Sequence, residues 1–180
     1  MVVDIGTGDG RFVLAAAAAS PECLVIGLDA DARAMIDASR RAAGPARRGG
    51  LPNALFVAAA AEWMPTELEG RADLVTVHFP WGSLLGGLIG SDSQILGGLA
   101  RIAHHGAEIR TLLSVTERDV AGAGGRFDPD AIRSPTTAGL RLCEVRRATA
   151  EEIAASDSTW AKRLRAATDR PVWLIRWERA

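Results

Sequence analysis

A glycine-rich turn near the start of the chain limits the possible folds more strongly than any other feature. The apolar run 2–5 leads directly into Gly6, Gly8 and Gly10, which alternate with Thr7 and Asp9, and an Ala-rich helical stretch covers 11–20. Glycines between a strand and a helix let the backbone turn tightly and come close to a ligand. The order of strand, glycine turn and helix therefore predicts an α/β unit with a ligand site beside the turn.

The rest of the chain continues this alternation of strands and helices. Strand-like apolar runs cover 23–28, 54–58, 74–79 and 109–115, and helical patterns cover 31–43 and 91–104, where His104 and His105 are expected to end the helix and face solvent. A strand at 140–145, a helical stretch at 149–167 and a last strand at 172–177 complete the chain. Strands that alternate with helices predict a parallel sheet covered on both faces.

Composition and charge exclude several classes of protein. The 180 residues fit one domain, and a net charge of -1, from 21 basic and 22 acidic residues, excludes a uniformly basic nucleic-acid coat. No apolar run approaches the roughly 18 residues that a membrane helix needs, and the start lacks the pattern of a secretory signal. Cys23 and Cys143 have no second cysteine pair nearby, so they make neither a zinc site nor a disulfide framework. We therefore expect a cytoplasmic protein with no metal and no membrane partner.

Asp29, at the end of the second strand, indicates which ligand the turn accepts. The glycine spacing lacks the longer gap of the dinucleotide fingerprint, which disfavours a pyrophosphate. An acid at this strand tip can accept both ribose hydroxyls of a nucleoside, and the combination is typical of S-adenosylmethionine-dependent methyltransferases. After the third strand, backbone groups of Ala61 and Glu62 are placed to read an adenine. The alternatives are a plain turn with a helix-capping Asp29 and a surface Glu62 that starts a short helix.

Two tryptophans, Trp81 and Trp160, are candidates for holding an aromatic substrate. Trp81 follows the fourth strand, where a methyl group is presented, and the turn lacks the polar residue with which amino-methylating enzymes bind an exocyclic amine. An acceptor with a free lone pair, such as a ring nitrogen, fits better. Trp160 and Arg163 share a helical face, which suits a stacked base with its phosphate alongside. The alternatives are that Trp81 is ordinary core and that Trp160 lies half-buried on an amphipathic helix.

Six sequence stretches carry a family resemblance. They are DIGTGDGR at 4–11, GLDAD at 27–31, RGGLPN at 48–53, AEWMP at 61–65, FPWGSLL at 79–85 and STWAKRL at 158–164. In this order they resemble the 16S rRNA (adenine-1408-N1)-methyltransferases, which confer aminoglycoside resistance. The glycine turn is generic to methyltransferases, whereas the stretches that contain Trp81 and Trp160 are far more specific.

The resemblance implies a fold and an activity. The fold would be the α/β class I methyltransferase fold, Rossmann-like, with a seven-stranded, mostly parallel sheet whose last strand is antiparallel. The chain would be a single methyltransferase domain over residues 1–180 that lacks the N-terminal extension of the family. It would transfer a methyl group from S-adenosylmethionine to N1 of adenine-1408 in the 30S subunit, without a general base, and we expect a monomer.

The resemblance also implies roles for individual residues. Trp81 and Trp160 would stack on the target adenine from both sides. The residues implied in binding S-adenosylmethionine are Gly6, Gly8, Gly10, Asp29, Ala61, Glu62, His78, Phe79, Pro80, Trp81, Gly82, Ser83, Ser158, Thr159 and Trp160. The residues implied in contacting RNA are Arg47, Arg48, Arg163 and Arg170.

Two other functions remain open at this point. One is an S-adenosylmethionine-dependent methyltransferase for a small molecule or a protein, with the two tryptophans forming an aromatic pocket. The other is an RNA-binding relative without catalysis, which the intact glycine turn and Asp29 disfavour. Salt dependence separates the first alternative from the RNA enzyme, because phosphate contacts make activity fall steeply with salt.

Overall fold

The structure, a computed structural model, describes residues 1–89, 93–115, 136–163 and 170–180, and only the backbone of residues 93, 136, 137, 160 and 163. The described residues form one eight-stranded sheet in the order β3-β2-β1-β4-β5-β8-β7-β6. The strands are β1 Val2–Ile5, β2 Val25–Asp29, β3 Ala54–Ala58, β4 Ala72–His78, β5 Ala103–Leu113, β6 Thr136–Thr137, β7 Leu140–Arg147 and β8 Trp173–Arg179.

Strand directions confirm the expected class I methyltransferase architecture. Strands β1 to β5 are mutually parallel, and β8 runs antiparallel to both β5 and β7. The structure adds the two-residue strand β6, which pairs with β7 at the edge of the sheet. The order of strands reverses between β1 and β4, and at such a switch point a crevice opens at the carboxyl ends of parallel strands.

Helices cover both faces of the sheet. They are α1 Arg11–Ala19, α2 Ile36–Ala42, α3 Gly82–Ile89, α4 Ser93–Ile102, α5 Ala150–Ala155 and α6 Thr159–Arg163, with short 3-10 helices at Ala46–Arg48, Ala61–Trp63 and Thr66–Leu68. One buried cluster includes α1, α2, β2 and β3, and a larger one joins α3 and α4 to the central strands. Burial on both faces explains why the parallel strands are almost continuously apolar. The described helices include none long and apolar enough to cross a bilayer.

Two secondary-structure predictions are wrong. The helical stretch expected at 149–167 is interrupted: α5 ends at Ala155, and Asp157 has a left-handed φ of 39° before α6 begins. Residues 164–167 lie outside the described part of the chain. His104 and His105 do not end a helix, because α4 stops at Ile102 and both histidines lie at the start of β5. Their side chains do reach solvent, as expected.

Candidate functional site

A pocket of about 720 Å³ lies at the carboxyl ends of the parallel strands. It is lined by the glycine turn, the end of β2, residues 59–62 after β3, residues 78–84 after β4, and residues 156–159 between α5 and α6. These five segments are far apart in sequence and meet because parallel strands deliver their carboxyl ends to the same edge. All the residues expected to bind the cofactor line this pocket except Gly10 and Trp160. The side chain of Trp160 lies outside the described part of the chain.

The glycine turn shapes one wall of the pocket. Gly6, Gly8 and Gly10 all have left-handed φ values, of 71°, 57° and 70°. A Cβ on Gly8 would meet no atom within 4 Å, so this position faces open space. A Cβ on Gly10 would lie 2.5 Å from the ring of Phe56. Gly10 therefore serves the packing of the turn against β3 and α2, whereas Gly6 and Gly8 lie at the pocket itself.

Asp29 ties the glycine turn to the end of β2. Its Oδ2 accepts a hydrogen bond of 2.8 Å from the backbone N–H of Gly8, and its Oδ1 accepts one of 2.8 Å from the N–H of Asp31. A carboxylate has about four acceptor positions, so each oxygen can still accept a ligand hydroxyl. The two backbone bonds fix the carboxylate in place before a ligand arrives, which favours binding of a vicinal diol.

The segment after β3 forms a second wall. The N–H of Ala59 donates to the carbonyl of Asp29 at 3.0 Å, which holds this segment beside β2. Ala61 and Glu62 lie in the following 3-10 helix and line the pocket. The alternative was that Glu62 is a surface residue at the start of a short helix. Glu62 does lie in a short helix, and it lines the pocket as well. The next residue, Trp63, is 79% exposed and does not line the pocket.

The turn after β4 places one aromatic ring in the hydrophobic core and one on the surface. Phe79 has a left-handed φ of 50°, is buried and packs with Leu112 and Ile153, and its N–H donates to the carbonyl of Leu112 at 2.9 Å. A left-handed φ is unfavourable for a bulky residue and persists only where the surroundings enforce it. Trp81, two residues later, is 71% exposed and lines the pocket. The alternative that Trp81 is ordinary core is therefore excluded.

A buried polar cluster forms the floor of the pocket. The Oγ1 of Thr76 donates to Oδ1 of Asp4 at 2.7 Å, and Nδ1 of His78 lies 3.5 Å from the same oxygen. Burial raises the pKa of Asp4, with His78 and Thr76 opposing the shift, and burial lowers the pKa of His78, with Asp4 opposing it. Sequence analysis gave Asp4 no role, although an acid inside the apolar strand VVDI was an available signal.

The segment between α5 and α6 contacts the glycine turn from across the pocket. The Oγ1 of Thr159 donates to Oδ2 of Asp9 at 2.5 Å, and Nε of Arg11 lies 3.6 Å from Oδ2 of Asp157. Thr159 lines the pocket and is the first residue of α6. The backbone of Trp160, the next residue, therefore lies close to the pocket. The distance between the rings of Trp81 and Trp160 lies outside what the structure describes.

The charge of the lining selects among ligands. The ionisable residues along the pocket are Asp4, Asp9, Asp29, Asp31, Glu62, His78 and Asp157. Within the described part of the chain, no Arg or Lys lines the pocket. Six carboxylates disfavour a pyrophosphate and favour a ligand with positive charge. No group of three or more His, Cys, Asp or Glu residues in the described ranges is arranged to hold a metal ion.

The four arginines expected to contact RNA lie in different places. Arg47 and Arg48 are exposed in the 3-10 helix between α2 and β3, at the edge of the sheet opposite the pocket. Arg170 is half-buried just before β8. Arg163 ends α6 near the pocket, with its side chain outside the described part. An RNA that contacts all four must extend well beyond one base.

Known proteins of one family match this chain over nearly its whole length. The family model described as NpmA, 16S rRNA (adenine(1408)-N(1))-methyltransferase, matches residues 1–178. A protein of Streptoalloteichus tenebrarius with the name 16S rRNA (adenine(1408)-N(1))-methyltransferase is 36% identical over 179 residues, which cover 94% of this chain and 82% of that protein. A protein of Escherichia coli with the same name is 31% identical over 173 residues, covering 90% and 79%.

Solved structures agree with these relatives. The 16S rRNA methyltransferase KamB superimposes with a TM-score of 0.87 at 32% identity, covering 99% of this chain and 87% of that one. The W203A mutant of the 16S rRNA (adenine(1408)-N(1))-methyltransferase from Catenulisporales acidiphilia, crystallised with its cosubstrate SAM, gives a TM-score of 0.82 at 30% identity, covering 99% and 85%.

Proposed function

The chain belongs to the 16S rRNA (adenine(1408)-N(1))-methyltransferase family, and on that premise we propose which of its residues perform the reaction. It is an S-adenosylmethionine-dependent enzyme that methylates N1 of adenine-1408 in 16S rRNA. The observation that carries the proposed site is an acidic pocket, fixed by Asp29, that opens beside the exposed Trp81.

The pocket fits S-adenosylmethionine in shape and charge. Asp29 would accept the two ribose hydroxyls, and Ala61 and Glu62 would face the adenine ring of the cofactor. Gly8 provides the space that a backbone approach requires, since nothing lies where its Cβ would be. The remaining length of the pocket, over the ends of β1 and β4, would hold the methionine end. When bound, S-adenosylmethionine supplies a methyl group that a positively charged sulfur activates.

Trp81 would hold the target base for the transfer. Its ring is 71% exposed at the mouth of the pocket, so a flipped base can stack on it without displacing core residues. Stacking on an aromatic ring contributes about 1–3 kcal/mol per base, which offsets the few kcal/mol that extrusion from the RNA costs. We propose that Trp160 stacks on the opposite face of the base, as the family resemblance implies, and the start of α6 at the pocket supports this.

The protein needs no general base for this reaction. N1 of adenine carries a free lone pair, so no proton has to leave before it attacks. The contribution of the chain is then to align base and cofactor and to exclude water. The methylated base is cationic, and the ring of Trp81 favours that charge by about 0.5–2 kcal/mol through a cation–π interaction.

The substrate would be the assembled 30S subunit at its decoding site. The scattered positions of Arg47, Arg48 and Arg170 suit a large, folded RNA surface better than a short strand. We propose that the enzyme acts as a monomer in the cytoplasm, where ribosomal subunits are present. A methyl group and a positive charge at N1 block the hydrogen-bonding edge of the base and repel polycationic aminoglycosides, which explains the resistance phenotype of the family.

Transfer of a labelled methyl group to different acceptors tests this function. Purified enzyme is incubated with S-adenosylmethionine and, separately, with 30S subunits, 50S subunits, protein-free 16S rRNA and a set of small aromatic amines. We expect label in the 30S subunits alone, at about one methyl group per subunit. Label in the small amines or in ribosomal protein would contradict the proposal and support the small-molecule or protein methyltransferase.

A further inference from the structure

His78 is a buried titratable residue to which the methyl transfer assigns no proton-transfer role. It is the last residue of β4, its side chain is 9% exposed, and its ring meets the ring of Phe12 edge-on at 4.5 Å between centroids. Its Nδ1 has no hydrogen-bond partner among the described residues. A buried polar atom without a partner costs free energy, so its presence at the pocket floor calls for a functional explanation.

Opposite charges act on His78 from two neighbouring strands. On β1, Oδ1 of Asp4 lies 3.5 Å from Nδ1 and favours the imidazolium, and on β5, Arg110 opposes it. From α1, the uncharged ring of Phe12 meets it edge-on. The other ionisable groups along the pocket are the carboxylates Asp9, Asp29, Asp31, Glu62 and Asp157.

The position of this pair relative to the ligand follows from the order of the strands. This step rests on the proposed binding of S-adenosylmethionine. With the ribose at Asp29 on β2, the pocket continues over β1 and then β4, where Asp4 and His78 lie. The sulfur end of the ligand therefore faces the floor cluster. The methyl donor carries a positive sulfur there, and the demethylated product, S-adenosylhomocysteine, carries a neutral thioether in the same place.

We propose that His78 determines how strongly the pocket prefers the cationic methyl donor over its neutral product. Burial opposes ionisation of Asp4, and His78 and Thr76 favour it. With Asp4 ionised and a neutral imidazole, the floor carries one negative charge, which attracts the sulfonium. With an imidazolium, that charge is cancelled and the attraction for the sulfonium is lost, while the thioether is hardly affected. The donor therefore binds best with neutral His78, and protonation of His78 favours retention of the product.

The surroundings of His78 shift its pKa in opposite directions. Burial lowers the pKa of His78, which keeps the ring neutral near pH 7, and Asp4 acts in the opposite direction. A further cation beside the ring makes its protonation still less favourable. Binding of the donor and protonation of His78 are then mutually unfavourable, and this coupling is reciprocal by thermodynamic linkage.

An NMR titration of the three histidines, on the full chain, measures this coupling directly. The ring signals of His78, His104 and His105 are followed from pH 8 to pH 5 in the free enzyme and in its complexes with S-adenosylmethionine and S-adenosylhomocysteine. The exposed His104 and His105 are internal controls, and His78→Asn assigns the third signal. We expect His78 to titrate lower in the donor complex than in the product complex by about half a pH unit or more, with His104 and His105 unchanged.

A second measurement separates failure of this inference from failure of the proposed function. Calorimetry of both ligands at pH 7.5 and pH 5.5 should show the donor losing affinity relative to the product, by up to about threefold for each half pH unit between the His78 midpoints of the two complexes. Both ligands carry the same adenosine and amino-acid groups, so the ratio isolates the sulfur charge. Equal midpoints in the two complexes, with normal binding, overturn the role of His78 alone. Absence of any binding overturns the cofactor site as well.

Discussion

The two sides of the pocket are built differently. On the cofactor side, the carboxylate of Asp29 at the end of β2 accepts hydrogen bonds of 2.8 Å from the backbone N–H groups of Gly8 and Asp31. On the base side, Trp81 is 71% exposed, and Thr159 is held by one side-chain bond to Asp9. Rigid strand ends position the small ligand, whereas the exposed ring of Trp81, on a turn, meets a substrate that arrives on a ribosome-sized surface.

The difference teaches that binding of the cofactor and binding of the base are separable in this protein. Substitutions on the cofactor side should abolish S-adenosylmethionine binding and, with it, all activity. Substitutions on the base side should reduce activity on 30S subunits and leave cofactor affinity nearly unchanged. Each of the following changes tests one side or the contact between them.

Replacement of Asp29 by Ala should have the largest effect. It removes the acceptor for the ribose hydroxyls and frees the N–H groups of Gly8 and Asp31. Hydrogen bonds to a charged group contribute about 1.5–3 kcal/mol each, so we expect S-adenosylmethionine affinity to fall roughly hundredfold. Isothermal calorimetry measures this, and circular dichroism checks the fold. A dissociation constant within twofold of the wild type would exclude a ribose-binding role for Asp29.

Replacement of Trp81 by Ala should reduce methyl transfer to 30S subunits by about ten- to hundredfold, since one stacking face is lost. Calorimetry of S-adenosylmethionine should give a nearly unchanged affinity. Trp63→Ala is the matched control, because Trp63 is equally exposed but does not line the pocket. If both variants lose cofactor affinity, or if Trp63→Ala loses as much activity as Trp81→Ala, the division between the two sides does not hold.

Thr159→Val should have an intermediate effect, because it breaks the contact between the two sides. The substitution keeps the shape of the side chain and removes the 2.5 Å hydrogen bond to Asp9. We expect kcat/KM on 30S subunits to fall about fivefold, the equivalent of roughly 1 kcal/mol for one hydrogen bond. Asp9→Ala, which removes the acceptor, should reproduce it, and the double variant should be no worse than either single variant. Additive losses would indicate that the two residues act independently.

The smallest effect is expected outside the pocket, where Glu152 supports the base side. Its carboxylate pairs with Arg146 at 2.6 and 2.8 Å and completes the cap of α5 together with Thr149. Arg146 lowers the pKa of Glu152 from 4.5 to about 2. The pair is partly exposed, so Glu152→Gln should cost only about 1 kcal/mol of unfolding free energy at pH 7.

The pH dependence of this pair has a defined sign. A carboxylate with a lowered pKa stabilises the folded state above pH 4.5, and this contribution is lost as the pH falls toward 2. In urea titrations, the difference between wild type and Glu152→Gln should therefore stay constant from pH 7 to pH 5 and shrink as the pH falls from 4.5 toward 2. A difference that stays constant below pH 4.5 as well would assign the stabilisation to the helix cap and not to the charge.

Sequence analysis was most successful where one short segment carries the whole signal. The glycine turn, Asp29 and residues 78–83 are continuous stretches, and parallel strands bring their ends together without further information. The floor pair of Asp4 and His78 was missed, because it depends on the pairing of β1 with β4, two strands from distant parts of the chain.

The break between α5 and α6 was missed for a different reason. The stretch 149–167 contains neither Gly nor Pro, so no residue signals a stop. In the structure, Oγ of Ser156 donates to the carbonyl of Ile153 at 2.6 Å, and Asp157 takes up the left-handed φ. A serine that bonds back to its own helix competes with the next helical turn, and this tertiary outcome cannot be read from periodicity.

Primer extension on 30S subunits tests the central claim most directly. A methyl group on N1 blocks Watson–Crick pairing, so reverse transcriptase stops one nucleotide before the modified base. With enzyme and S-adenosylmethionine together we predict a strong stop at adenine-1408, absent when either is omitted and absent with the Asp29→Ala variant. Full-length extension through 1408, or a stop at another base, in subunits that have incorporated a methyl group would contradict the assignment of the target.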